Sequence, residues 1–247
     1  MPRAIDINCD LGEGCGNDAE LMRLISSANI ACGFHAGDEE TMRRTVKLAF
    51  NNGVAIGAHP SYPDRENFGR TEMSMSPTEV FEIVAEQIQT LKHICDAQGT
   101  ILHHVKPHGA LYNQAAKSVA LSAAIANAVK QNDSDLILYA LSGSYLISEA
   151  EEIGLKTASE VFADRTYQND GTLTPRSQPD ALVTEDDISV AQVLQMVEKQ
   201  SVISTNGETV PLRADTICIH GDGEHAVSFA SRIRAALTEQ GFEIRAQ

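Results

Sequence analysis

The chain has 247 residues, and 34 acidic against 19 basic side chains give a net charge of −15. That balance argues against a nucleic-acid binder, which needs Lys and Arg to neutralise phosphates, and the lack of Trp with only 5% aromatic residues argues against a base-stacking platform. An anionic small molecule stays open, because the local field of a site can oppose the overall charge.

Residues 4–8 open the chain with an alternating strand pattern, and a helix is predicted near 18–25. A strand at 27–31 leads into a helix over 38–52, with Asp38-Glu39-Glu40 at the positive end of its dipole and Asn52-Gly53 at its close. After a strand at 54–58 comes the clearest helix, 77–98. Ser76 caps it, Pro77 suits its first position, Glu79 completes a capping box, and apolar residues from Val80 to Leu91 recur at helical spacing before Gly99. Strands at 101–105, 136–141, 157–161 and 216–219 then alternate with helices near 115–131, 144–153, 185–200 and 223–240, and a last strand is expected at 242–245. Asn206-Gly207 between the β-rich arms of 202–210 marks a hairpin set before the last strands. Residues 60–76 and 162–184, rich in Pro, Gly, Asp and Arg, read as long loops.

Repeated βα units imply parallel strands. A closed α/β barrel commonly uses roughly 200–250 residues as one domain, so residues 1–247 read as a single (β/α) barrel domain. The start carries no apolar leader, and no run reaches the roughly 18–20 apolar residues of a membrane span. The five cysteines, Cys9, Cys15, Cys32, Cys95 and Cys218, are scattered without a CxxC pair. That speaks against a disulfide framework or thiolate zinc site and for a soluble protein of the cytoplasm.

Strand parity locates the chemistry. Ile5 and Ile7 share one face of the first strand, and Asp6, Asn8 and Asp10 share the other. Ala28 and Ile30 likewise oppose Asn29; Ile56 and Ala58 oppose Gly57 and His59; Ile101, His103 and Val105 oppose His104 and Lys106; Ile217 and Ile219 oppose His220. A barrel lumen is ordinarily filled by branched apolar side chains. Here it would hold Asp, Asn, His and Lys, which are costly to bury unless paired or employed. The strand-to-helix junctions Asp10–Gly16, Cys32–Asp38, His59-Pro60, Lys106–Gly109, Phe162–Arg165 and His220–Gly223 add Gly, His and Asp at the barrel end where such folds place their sites.

Asp10, His35, His59, His108 and His220 suit general acid–base work. Asp and imidazole equally suit divalent zinc, manganese or nickel, and Asp10, His35 and His59 are the candidate ligands. Lys106 is a candidate anion clamp or electrophile. The Gly12/Gly14/Gly16 turn could present N–H groups to a phosphate or carboxylate, although it matches no dinucleotide fingerprint and no P-loop occurs. His93 and His225 read as surface residues on helices and His103 as structural. Ser61, Ser142 and Ser144 lack a nucleophile motif.

At these junctions the sequence resembles the LamB/YcsF family. The matching stretches are Asn8–Glu13, Ala28–Asp38, Gly57–Asp64, Phe68–Arg70, Val105–Asn113, Glu160–Arg165 and His220–Asp222, in order across nearly the whole chain. The chain departs from the family pattern at Asn67, Thr71 and residues 223–225. The resemblance implies an irregular seven-stranded, TIM-like (β/α) barrel related to metal-dependent polysaccharide deacetylases. It further implies ATP-driven opening of 5-oxoproline to L-glutamate, with magnesium and two partner subunits. In that chemistry Lys106, Arg70 and Arg165 would meet phosphate, with Gly12, Gly14 and Asn29 beside the substrate. His35, His59, His108 and His220 would move protons, and Asp10, Glu13, Asp38, Asp164 and Asp222 would hold magnesium or act as acids. Two rival readings are a metal-dependent deacetylase or amidohydrolase needing no ATP, and a non-catalytic lactam- or carbohydrate-uptake accessory. Homo-oligomerisation stays open.

Overall fold

A computed structural model describes residues 3–221 and 226–247. The first half runs β1 (Arg3–Leu11), α1 (Asp18–Leu21), β2 (Ser27–Ala31), α2 (Glu39–Asn52), β3 (Ala55–His59), α3 (Pro77–Ala97), β4 (His104–Val105), α4 (Gly109–Ala116) and α5 (Val119–Asn132). The second half continues β5 (Ile137–Leu141), α6 (Tyr145–Glu152), β6 (Lys156–Phe162), α7 (Asp186–Lys199), β7 (Ser201–Ile203), β8 (Thr209–Pro211), β9 (Thr216–Ile219), α8 (Ala226–Glu239) and β10 (Phe242–Ile244). Among the described residues, seven parallel strands close in the order β1-β2-β3-β4-β5-β6-β9, and β9 returns to β1. This is the expected irregular (β/α) barrel. β10 adds a short parallel pairing beside the first residues of β1.

The alternation in β1 explains how the barrel can be polar inside and still stable. Ile5, Ile7, Cys9 and Leu11 point outward into the apolar layer under the helices, while Asp6, Asn8 and Asp10 are equally buried in the lumen. α3 is held as the sequence predicts: Ser76 accepts from the Glu79 amide, Glu79 returns a bond to Ser76, and Val80, Val84, Gln87, Ile88 and Leu91 turn inward. Asp38 caps α2 through the Thr41 amide, and Gly53 ends it in the left-handed region. The hairpin forms at Asn206-Gly207, where Val202 pairs with Val210. Its turn leans on the 162–184 loop through Thr205 N–H to the Tyr167 carbonyl and Ser204 to Asn169.

Three expectations are corrected. The helix expected at 115–131 is two helices, because Ser118 caps a new one and α4 already begins at Gly109. The first helix is a single turn, 18–21, and not 18–25. The fourth strand keeps only His104–Val105, and Ile101, expected to pack under helices, is 74% exposed at the lower rim. The positions of Asp222, Gly223 and His225 lie outside the described residues.

Candidate active site

The lumen is a continuous hydrogen-bonded column. At its base Asp6 accepts from the hydroxyls of Ser26, Ser27 and Thr216. Burial pushes its carboxyl above the usual range, and those hydroxyl bonds offset only part of the rise. One level up, Asn8 donates to Thr216, and Asn29 donates to both Asn8 Oδ1 and Asp10 Oδ1 at 2.8 Å while accepting from His104 Nε2. His104 stacks on the Tyr139 ring at 4.2 Å. Asn29, expected beside a substrate, is fully buried and fully engaged, so it supports the layer above.

That layer is centred on Lys106, which is 2% exposed. Its Nζ donates to Asp10 Oδ1 at 2.9 Å, Cys218 Sγ at 3.0 Å and Asn8 Oδ1 at 3.3 Å, and it lies 2.9 Å from Glu160 Oε1. Burial alone would lower the ammonium pKa, but Asp10 and Glu160 outweigh it and hold it well above the usual value. For Asp10 burial acts upward, and the neighbouring His59 ring and the Lys106 ammonium carry the net shift well below the carboxylate range. Lys106 is therefore a fixed cation and not a nucleophilic amine.

A histidine cluster stands on one side. His59 Nδ1 donates to the Lys106 carbonyl at 2.7 Å, and its Nε2 lies 2.9 Å from His108 Nδ1 and 3.3 Å from Asp10 Oδ2. His108 Nε2 donates to the Phe68 carbonyl at 2.8 Å. His35 Nε2 lies 3.1 Å from Glu13 Oε1, and its ring stacks on His108 at 3.8 Å. Burial holds His35 down to about 2 and His108 well below the usual imidazole range. Glu13, His35, His59 and His108 each offer one ligand atom within 4.8 Å of the others, and the Nδ1 of His35 is buried without a partner. The donor set fits a divalent ion. It includes Glu13 and His108, which the expected Asp10/His35/His59 set did not.

On the other side Asp164 accepts from His220 Nδ1 at 2.8 Å and from the His220 amide. Burial raises the Asp164 carboxyl, and His220 turns the net shift downward. The carboxylate thus holds the imidazole by its Nδ1 edge, and Asp10, Cys218 and His220 offer atoms within 4.8 Å of one another. A cleft of about 710 Å³ opens above Asp10, His59, Lys106, His108 and His220, within the range of small-molecule sites. Its rim carries Arg70, Lys117 and Arg176 against Glu72. In a chain of net charge −15 this is a local reversal of sign.

The remaining sequence candidates fall elsewhere. Asp38 is exposed and caps α2. The Gly12 amide donates to Asp18 and is not available to an anion, while Gly14 lies exposed beyond it. Arg165 lines the cleft but donates to the carbonyls of Ala181 and Thr174, tying the 162–184 loop. Asn67 and Thr71, the departures from the family pattern, both bond the Asp64 carboxylate within their loop. His93 is exposed as expected, and His103 lies outside the lumen against the Gln247 carbonyl. Sequence reasoning missed Glu160, Tyr112, which donates to it at 2.7 Å, and Cys218. An acid inside the buried run 158–162 was the available signal for Glu160, and parity with Thr216 for Cys218.

The chain matches the family model for LamB/YcsF over residues 5–247. It is 55% identical over 251 residues to a 5-oxoprolinase subunit of Bordetella pertussis, covering 100% of both chains. It is 55% identical over 247 residues to the corresponding 5-oxoprolinase subunit of Tolumonas auensis, covering 98% of each. The crystal structure of a lactam utilization protein from Thermus thermophilus superposes with a TM-score of 0.92 at 43% identity, covering 99% of this chain and 100% of that one. A family 4 carbohydrate esterase from Streptomyces lividans, with a TM-score of 0.51 at 12% identity over 98% of this chain and 91% of that one, shares the fold alone. On a match that runs the length of the chain, this protein belongs to the LamB/YcsF family.

Proposed function

We propose that the chain is the barrel subunit of an ATP-dependent 5-oxoprolinase, which opens 5-oxo-L-proline to L-glutamate while ATP and water give ADP and phosphate. The carrying observation is the buried Lys106, fixed as a cation between Asp10 and Glu160 on the floor of a cation-rimmed cleft. The full-length relatives named as 5-oxoprolinase subunits and the related lactam utilization protein support the same reading.

A lactam resists attack by water because nitrogen donates into its carbonyl. Transfer of the γ-phosphoryl group of ATP to the lactam oxygen removes that protection. Water then adds to the ring carbon, the protonated nitrogen leaves, and a second water releases phosphate from the acyl phosphate. Lys106 faces the oxygen where negative charge develops. His220, oriented by Asp164, takes the proton from water. Arg70 and Arg176 at the rim attract the substrate carboxylate and phosphates, and magnesium accompanies ATP. Partner subunits, two in this reading, complete the enzyme; that the relatives are named as subunits supports a multi-subunit assembly. We place it in the cytoplasm on the buried thiols Cys9, Cys32, Cys95 and Cys218, which form no disulfide; no helix among the described residues is long and apolar enough to cross a membrane.

The test is to combine the chain with its partner subunits, 5-oxoproline, ATP and magnesium, and to follow glutamate and ADP. Equal amounts of both are expected, and a well-folded complex yielding neither overturns the reading. A second reading, a metal-dependent hydrolase without ATP, draws on the Glu13–His35–His59–His108 cluster. Turnover that persists when ATP is omitted would favour it.

A further inference from the structure

Two backbone carbonyls decide where the protons of the histidine cluster sit. A carbonyl oxygen only accepts, so the His59 Nδ1 facing the Lys106 carbonyl carries its proton, as does the His108 Nε2 facing the Phe68 carbonyl. In neutral rings His59 Nε2 and His108 Nδ1 are then both bare lone pairs, and they face each other at 2.9 Å. Asp10 Oδ2 stands 3.3 Å from the first and Glu13 Oε1 3.6 Å from the second. Electron-rich atoms converging in a buried space need a cation or a shared proton among them, and four donor atoms meeting at one point offer more lone pairs than one proton can satisfy. In the other facing imidazole pair, His103 and His104, the His103 ring is only half-buried and needs no resident ion.

We propose that Glu13, His59 and His108, with Asp10 at the edge, hold a divalent transition-metal ion. The separations of 2.9, 3.3, 3.6 and 4.0 Å among these donor atoms straddle the roughly 3.3 Å between ligands on a tetrahedral ion with bonds of about 2.0–2.1 Å. Two imidazoles beside carboxylates select zinc, cobalt, nickel or manganese over calcium or magnesium. Each ligating ring donates its other N–H to a backbone carbonyl, the arrangement that fixes tautomer and orientation around bound metals.

The backbone is built to present one of those carbonyls. Phe68 is held in the left-handed region at φ 56° although it is not glycine. A β-carbon on Gly69 would come within 2.8 Å of the His108 ring, and one on Gly109 within 2.5 Å of the Gly69 carbonyl. His35 is left out of the ligand set. Its ring lies parallel to His108, 5° apart in plane and 3.8 Å away, so an ion in the plane of His108 lies a ring spacing outside the plane of His35. His35 instead donates Nε2–H to Glu13 and is a positioning residue.

This inference goes beyond the lactam reading, and its test needs no turnover. Protein stripped with chelator is titrated with Co²⁺ while the visible ligand-field band and the melting temperature are followed. One equivalent is expected to develop the band and raise the melting temperature, and Zn²⁺ is expected to bleach the colour. His108→Gln and Glu13→Gln should remove the stoichiometric band, and His35→Gln should keep it with affinity weakened by about 10–100-fold. Absence of both band and melting shift in folded wild-type protein at millimolar Co²⁺ overturns the proposal. So does a band that survives in His108→Gln, or one that His35→Gln abolishes in protein that remains folded.

Discussion

At the scale of the residue, Lys106 is tied into the fold so tightly that a single substitution would change stability together with any role it has in turnover. Its ammonium is ion-paired with both Asp10 and Glu160, and all three are buried. Removing one member of such a group leaves an uncompensated charge and costs about 3–5 kcal/mol. Lys106→Met is therefore expected to lose both stability and turnover, and Glu160→Gln in the same chain to restore part of the stability. Denaturant unfolding of the two single variants and the double variant should show a coupling of about 0.5–3 kcal/mol; strict additivity would mean that the pair does not interact. His220 is the cleaner probe of chemistry, because its side chain is 16% exposed and its carboxylate partner Asp164 20%. His220→Gln should lower turnover about 10²–10⁴-fold with a nearly unchanged melting temperature, and the exposed His93→Ala should alter neither. Full turnover in His220→Gln would remove this residue from the reaction.

At the scale of the element, register is what brings the lumen groups together. Gly57 of β3 pairs with His104 of β4, and a β-carbon there would lie 2.1 Å from His104 Nε2. The glycine is required by the ring beside it, since its backbone is otherwise ordinary. Gly57→Ala must expel the imidazole from its stack on Tyr139 and its bond to Asn29. The expected cost is at least the about 1–3 kcal/mol typical of overpacking. A double variant, Gly57→Ala with His104→Ala, should recover part of it. Equal stability of Gly57→Ala and wild type in a thermal melt would contradict the packing described.

At the scale of the molecule, a barrel filled with polar groups carries a dependence on pH that an apolar barrel lacks. Burial first, and then the neighbouring His103 and Lys106, keep His104 neutral well below the usual imidazole range. In the unfolded chain the same ring takes a proton near pH ~6.5. Below that pH the unfolded state binds a proton that the folded state refuses, so stability falls as pH falls, by about 1.4 kcal/mol per pH unit for this group. Above about pH 7.5 the effect is absent. Compared with His104→Gln, the wild type should lose about 2 kcal/mol of relative stability between roughly pH 6.5 and pH 5. Urea unfolding across that range checks the sign, and parallel curves for the two proteins would mean that His104 protonates inside the barrel.

The order of amino acids alone was enough for the alternation of strands and helices, the capped α3, the Asn206-Gly207 hairpin and the polar inner face of β1, because each is written in neighbours a few residues apart. The family followed from junction motifs that keep their order along the chain. Which polar residues share a layer was settled only by the closed barrel. Glu160 meets Lys106 and Tyr112 because β4 pairs with β5 and β5 with β6. The Gly12 amide lost its expected role to Asp18, and Arg165 turned to its own loop. The protons of His59 and His108 were fixed by carbonyls at residues 106 and 68, the first from another strand-to-helix junction and the second from a loop 40 residues upstream of His108. Local pattern specifies which face a side chain takes, but partners across a closed barrel are set by register and closure, and these depend on the whole sheet at once.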